Sequence, residues 1–189
     1  MTVISPDIIR QAQMGSIQAW KALAQVWYPR MYRLAYRYFN DSEMAQEVSQ
    51  QTMVQAWENV HQLREPAQFS AWMYRLLWNQ CHQMNRKVAQ QQRQQQDLDN
   101  LRNPLSSSDA DEPLLQQERE RLVKRALTYL PSEQRQVVLL KEYEQLTFKE
   151  IAQVLAISEN TAKSRMYYAL KALRKRFDQW NITSQSLLL

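Results

Sequence analysis

Apolar residues along this chain recur three and four positions apart, the period of an amphipathic helix, and period-two alternation is scarce. Trp20, Leu23, Ala24, Trp27, Met31, Leu34, Ala35 and Tyr38 form one stripe, with Pro29 marking a break or the first turn of a new helix. Asn40-Asp41-Ser42 supplies a turn and cap before a second stripe, Ala45, Val48, Thr52, Ala56 and Val60. A loop holding Leu63-Arg64-Glu65-Pro66 leads to a third stripe, Phe69, Trp72, Met73, Leu76, Leu77, Gln80, Cys81 and Met84. Trp72 shares that stripe and is expected in the core. Trp78 falls off it and is expected to be exposed.

The pattern then lapses. From about Val88 to Pro113 the chain carries a glutamine run, Ser106-Ser107-Ser108 and Asp109-Ala110-Asp111-Glu112, with few large apolar residues. Such a segment buries too little surface to offset chain entropy. Its Gln part can extend the preceding helix, and its Ser/Asp part reads as a mobile linker. Helical patterning resumes at Leu114. Leu122, Ala126 and Leu130 lead to Pro131-Ser132, which opens a helix bearing Val137, Val138, Leu139, Leu140 and Tyr143.

Next comes the most telling stretch, Leu146 to Arg165. Thr147 and Glu150 have capping-box spacing, Ile151, Leu155 and Ile157 supply apolar contacts, and Ala152 allows close approach. Ser158 caps a following helix whose inward stripe is Ala162, Met166, Ala169 and Leu173. Asn160, Lys163, Ser164, Tyr167 and Lys171 must then face outward. Two helices joined by a tight turn, the second one basic, are the build of a helix-turn-helix DNA reader. Between Ser158 and Phe177 six basic residues stand against one acid, Glu159. The alternative is a generic two-helix packing unit with a solvated basic face.

These elements predict an all-α protein of two small helical domains joined by a flexible acidic linker. The expected boundaries are 1–87, a linker over 88–113, a second domain over 114–180 and a tail over 181–189. Charge supports the division: the three segments 1–87, 88–113 and 114–189 carry net charges of +3, −3 and +5. A total of +5 makes a polyanionic partner plausible without making the chain a polycation.

Composition excludes other chemistry. The single cysteine, Cys81, rules out an internal disulfide framework, points to a reducing compartment and reads as a buried small hydrophobe. No apolar run reaches membrane-spanning length and the first residues lack a secretory signal, so a cytoplasmic protein is expected. Gly15 is the only glycine, which excludes Gly-rich phosphate cradles. His61 and His82 have no companions at ligand spacing and no nucleophile motif occurs, so neither metal, cofactor, small-molecule substrate nor enzymatic activity is expected.

Taken together, Tyr28 to Phe39, Asp41 to Trp57 and Phe69 to Asn79 resemble domain 2 of the extracytoplasmic-function (ECF) alternative sigma factors of bacterial RNA polymerase. Leu130-Pro131 and Thr147 to Arg165 resemble their domain 4. The resemblance covers nearly the whole chain outside the termini and linker. It implies a transcription-initiation factor that binds core polymerase through the β′ clamp helices and β flap, melts the −10 promoter element with domain 2 and reads the −35 element with domain 4. Core-docking positions fall on Glu47, Gln50, Gln51, Met53, Val54 and Trp57. Gln46 and Gln51 stand where acidic residues are usual, which weakens charge-assisted contacts. Trp57 reads equally as a core residue.

For −10 recognition and melting the matching residues are Arg64, Arg75, Trp78, Asn79, His82, Gln83 and Arg86, with the loop Leu63–Gln68 forming a pocket for a flipped base. For −35 readout they are Asn160, Thr161, Lys163, Ser164, Arg165, Tyr167 and Lys171. Tyr168 replaces a common basic residue and Ala156 a common turn glycine. The resemblance also implies an anti-sigma partner, which could hold the protein near the membrane without membrane insertion. The linker would thread into polymerase channels; a solubilising role is the alternative. Two other functions remain open on the residues alone: a dimeric helix-turn-helix regulator acting independently of polymerase, and an interaction adaptor that has lost DNA binding.

Overall fold

The computed structural model describes residues 5–98 and 116–180, and every regular element among them is helical, as expected. The first unit opens with α1 (Pro6–Gln13), a short helix that no stripe announces, capped by Ser5 and burying Ile9 and Ala12. Helix α2 (Ile17–Phe39) follows, and here the structure corrects the expected break. Pro29 lies inside one continuous helix. Its ring is exposed, while Trp27 and Met31 on either side are fully packed, so burial offsets the ~3 kcal/mol that an interior proline costs.

Asn40 ends α2 in the left-handed conformation and Asp41 caps α3 (Ser42–Asn59), accepting from the Met44 N–H at 2.8 Å. Two short 3₁₀ turns, Val60–Gln62 and Pro66–Gln68, lead into α4 (Phe69–Leu98). The long α4 runs past the expected boundary at Val88, so the glutamine run extends the helix. The rest of the expected linker, including the Ser/Asp stretch, and the Leu187–Leu189 tail lie outside the described residues.

The second unit comprises α5 (Gln116–Thr128), α6 (Ser132–Glu142), α7 (Phe148–Leu155) and α8 (Glu159–Gln179). Thr147 and Glu150 form the expected capping box at the start of α7, and Ser158 caps α8. Between them Ala156 sits at φ +53°, where an L residue pays for its Cβ and glycine does not. Ala156→Gly should therefore raise stability by about 0.5–1 kcal/mol, read as an upward shift of the denaturant midpoint at unchanged slope.

The two units pack directly on each other: α5 and α6 lie against α2, and α7 lies against α4. This explains why Val137, Val138, Leu139 and Leu140 are all buried although they occupy more than one face of α6. One side meets α7 and α8 of its own unit and the other meets α2. A helix that is apolar nearly all round is one covered from two directions.

Candidate nucleic-acid and polymerase interfaces

Helix α8 has the expected two faces. Ala162 and Ala169 are fully buried, Met166 nearly so, and Leu173 packs against the same core. Asn160, Lys163, Ser164, Tyr167 and Lys171 are exposed. Two members of the expected DNA-reading set sit lower. Arg165 is half-buried, and so is Thr161, whose hydroxyl lies 2.8 Å from the Ser158 cap. Lys163 pairs with Glu159 at 2.7 Å, an exposed i,i+4 contact worth little in water. Phosphate can compete for that ammonium.

The outer face of α3 presents Glu47, Gln50, Gln51 and Val54 to solvent, with Met53 half-buried. Trp57 is 38% exposed and rests its ring on Trp20 at a centroid distance of 5.3 Å, so it both packs and remains accessible. Glu47 is bridged to Lys87 of α4 at 3.1 Å. Behind this face, Ser49 and Thr52 are buried and donate their hydroxyls to the carbonyls of Ala45 and Val48.

On α4 the structure redistributes the expected roles. Trp78 is 2% exposed and packs its ring against Tyr38 at 5.5 Å, so the expected exposed stacking role is overturned. The cause is tertiary: α2 covers the flank of α4 that the stripe leaves bare. Trp72, expected in the core, is only half-buried beside Phe69. It lines a cavity of about 420 Å³ together with Asn59, Gln62, Leu63, Arg64, Glu65 and Gln68. The expected base pocket thus has an aromatic wall, but that wall is Trp72. Cys81 is fully buried and burial pushes its thiol pKa up, in keeping with a packing role.

Arg75, Asn79, His82 and Arg86 share one face of α4 by helical spacing. Gln83 is exposed on the flank towards α3. Asn79 and Arg86 are also exposed, whereas two of the four are engaged by the second unit. Arg75 donates to the Gln153 carbonyl of α7 at 2.9 Å, and the half-buried His82 ring lies 2.9 Å from the Gln136 amide of α6.

Glu144, which sequence reasoning missed, stands at the centre of this contact. It sits in the α6–α7 turn, accepts the Tyr74 hydroxyl at 2.5 Å and is bridged to the Arg30 guanidinium. That guanidinium lies 5.1 Å from the Trp27 ring and 5.3 Å from the Tyr74 ring. Burial, and then the Glu144 carboxylate, push the Tyr74 pKa well up, so its hydroxyl remains a donor at neutral pH. Arg135 makes the companion contact, donating to the carbonyls of Tyr38, Thr128 and Leu130. The solid run of apolar residues in α6 was the sequence signal for a second packing partner.

The fold is that of a helical protein with a helix-turn-helix whose second helix carries a basic exposed face, and a separate exposed face on α3. Family models agree: residues 23–91 match "Sigma-70 region 2" and residues 120–173 match "Sigma-70, region 4". The chain is 25% identical over 178 residues to the RNA polymerase sigma-H factor of Pseudomonas aeruginosa, covering 89% of this chain and 91% of that one. It is 23% identical over 175 residues to the ECF RNA polymerase sigma factor SigW of Bacillus subtilis, covering 89% and 94%. Its fold is similar to the complex of the sigma factor RpoE with the anti-sigma factor NepR from Bartonella quintana, at a TM-score of 0.65 and 20% identity over 84% of this chain and 96% of that one. This chain belongs to the sigma-70 family of RNA polymerase sigma factors, in its ECF group.

Proposed function

We propose that this chain binds bacterial core RNA polymerase and directs promoter-specific initiation, reading the −35 element with α8 and opening the −10 element with α4 and the loop before it. The observation that carries this reading is the separation of faces. The cationic outer face of α8 and the polar-apolar outer face of α3 are both exposed and lie on different units, so one chain can hold a large partner and DNA together.

Glu47, Gln50, Gln51, Met53, Val54 and Trp57 form the docking surface. Val54 and Trp57 supply apolar area and the polar residues fix register. On α8, Lys163, Lys171 and Arg165 meet phosphates, and Asn160, Ser164 and Tyr167 reach base edges, with Thr161 holding the helix start. At the −10 element, Arg64, Arg75, Asn79, His82 and Arg86 hold the separated strand, with Gln83 at the flank. Trp72 stacks on the base drawn into the 63–68 pocket, an interaction worth roughly 1–3 kcal/mol against the melting cost. An anti-sigma protein is the proposed regulatory partner. Support comes from the structural likeness to a sigma factor solved with one.

Run-off transcription tests the reading. The purified chain added to core polymerase should direct transcripts from a specific promoter while binding that duplex weakly alone; tight binding as a free dimer would favour a polymerase-independent regulator. Glu47→Lys should weaken core binding about tenfold, the order of one lost charge-assisted contact, and leave the α8 face untouched.

A further inference from the structure

We propose that Gln13 of α1 is a positioning residue for strand opening: its side-chain amide fixes the Leu63–Glu65 segment that walls the base pocket. The role in opening rests on the function proposed above; the clamp itself rests on geometry.

The segment needs a hold from outside. Leu63, Arg64 and Glu65 link the two 3₁₀ turns, and neither turn is capped by a side chain at its start. The far end is set locally. Pro66 opens the second turn and confines Glu65 to the extended region, where it lies at φ −113° and ψ 107°, and the adjoining Phe69 is buried. The near end is held more loosely: Leu63 is only half-buried, and its N–H meets the Val60 carbonyl at 3.2 Å. Gln13 supplies the hold. Its Nε2 donates to the Leu63 carbonyl at 2.5 Å and to the Val60 carbonyl at 3.2 Å, from 50 and 47 residues away in the chain. Both neighbours can only accept, so the amide must face them with its nitrogen and each of its protons has one carbonyl.

Helix α1 is shaped to carry this amide. It is too short to persist alone, and burial of Ile9 and Ala12 keeps it against α2 and both 3₁₀ turns. Gly15 then reverses the chain. Its N–H bonds the Ala12 carbonyl at φ +86°, while the Ser16 N–H returns to the Gln11 carbonyl. Any L side chain is strained at that φ, so the only glycine of the sequence stands where α1 is folded back onto the loop. Gln13 does not line the pocket, whereas Leu63, Arg64, Glu65 and Trp72 do. A base arriving beside Trp72 therefore meets a wall already ordered, and the stacking energy is not spent on ordering it.

Two variants test the clamp. Gln13→Met keeps the length and the packing and removes both donors. Gln13→Glu also removes them while keeping a polar group, and it decides the matter if the first variant folds poorly. Each full chain is joined to core polymerase and titrated with fork-junction DNA of the promoter found by run-off transcription. The unpaired non-template −10 strand is made abasic one position at a time. For the wild type, removing the base at one position should lower affinity about tenfold, the order of one stacked base. In both variants that ratio should fall to about threefold or less, with melting temperature and core affinity little changed. In the free variants, the amides of 63–65 should exchange about tenfold faster.

A merely structural role would weaken binding of intact and abasic DNA alike and leave the ratio at its wild-type value. That outcome, or unchanged amide exchange, overturns the proposal. Trp72→Ala is the control: loss of the ratio there, with the ratio kept in both Gln13 variants, overturns the positioning role alone. If the wild type has no sensitive position, the pocket reading fails and the positioning role falls with it.

Discussion

Trp78→Ala should destabilise the first unit by about 3–5 kcal/mol, the range for truncating a fully buried large aromatic, and lower its melting temperature by roughly 10 °C or more. Trp78 packs from α4 against Tyr38 of α2 with 2% of its surface exposed, and the small side chain would leave a cavity that α2 cannot collapse to fill. Core binding and promoter opening should fall together, because the unit carrying both would be lost. Trp72→Ala should behave differently. Its ring is half-buried at the edge of the 63–68 cavity, so the melting temperature should move little while open-complex formation drops. Calorimetry beside permanganate footprinting separates the two residues. A normal melting temperature for Trp78→Ala with defective opening would return the stacking role to Trp78.

Lys163→Ala combined with Arg165→Ala should lower −35-dependent transcription about 10- to 100-fold at moderate salt and leave core docking unchanged. Each phosphate-neutralising cation lost removes about one unit from the slope of log affinity against log salt. Lys163 is exposed and shared only with Glu159, so its loss should act mainly on DNA. Arg165 is half-buried, so its replacement should add a small stability loss. Titration of the double variant against core, followed by transcription across a salt series, checks both halves. Equal loss of core binding would show that the two faces are not independent.

Much of the fold was legible because its signals are local. The Thr147–Glu150 capping box, the Ser158 and Asp41 caps and the α8 stripe each depend on residues within a turn or two, and each forms as its spacing requires. Ala156, which stands where the family commonly has a turn glycine, takes the left-handed conformation such a position needs. Pro29 misled because a proline's local penalty is visible while the packing that offsets it, around Trp27 and Met31, is not. Trp78 misled for a related reason. A single-face stripe assigns one buried side to a helix, and α4 is covered on more than one.

The site was legible to the same degree. The outward set on α8 emerged from helical period, the α3 face and the 63–68 loop came from the resemblance, and a cavity forms at that loop. Glu144 was invisible because its partners, Arg30 and Tyr74, lie far away in the chain and nothing in the turn's own residues names them.

By itself, then, the amino-acid sequence determined all the helices but α1, most of their caps and the two cationic units, since these depend on period and spacing over short distances, while the family was carried by resemblance. Only the tertiary structure decided that the units pack on each other, that Trp78 rather than Trp72 is the fully buried ring, and that Glu144 joins the halves. Those outcomes depend on which surfaces meet across long stretches of chain, and burial there is set by the partner surface as much as by the residue.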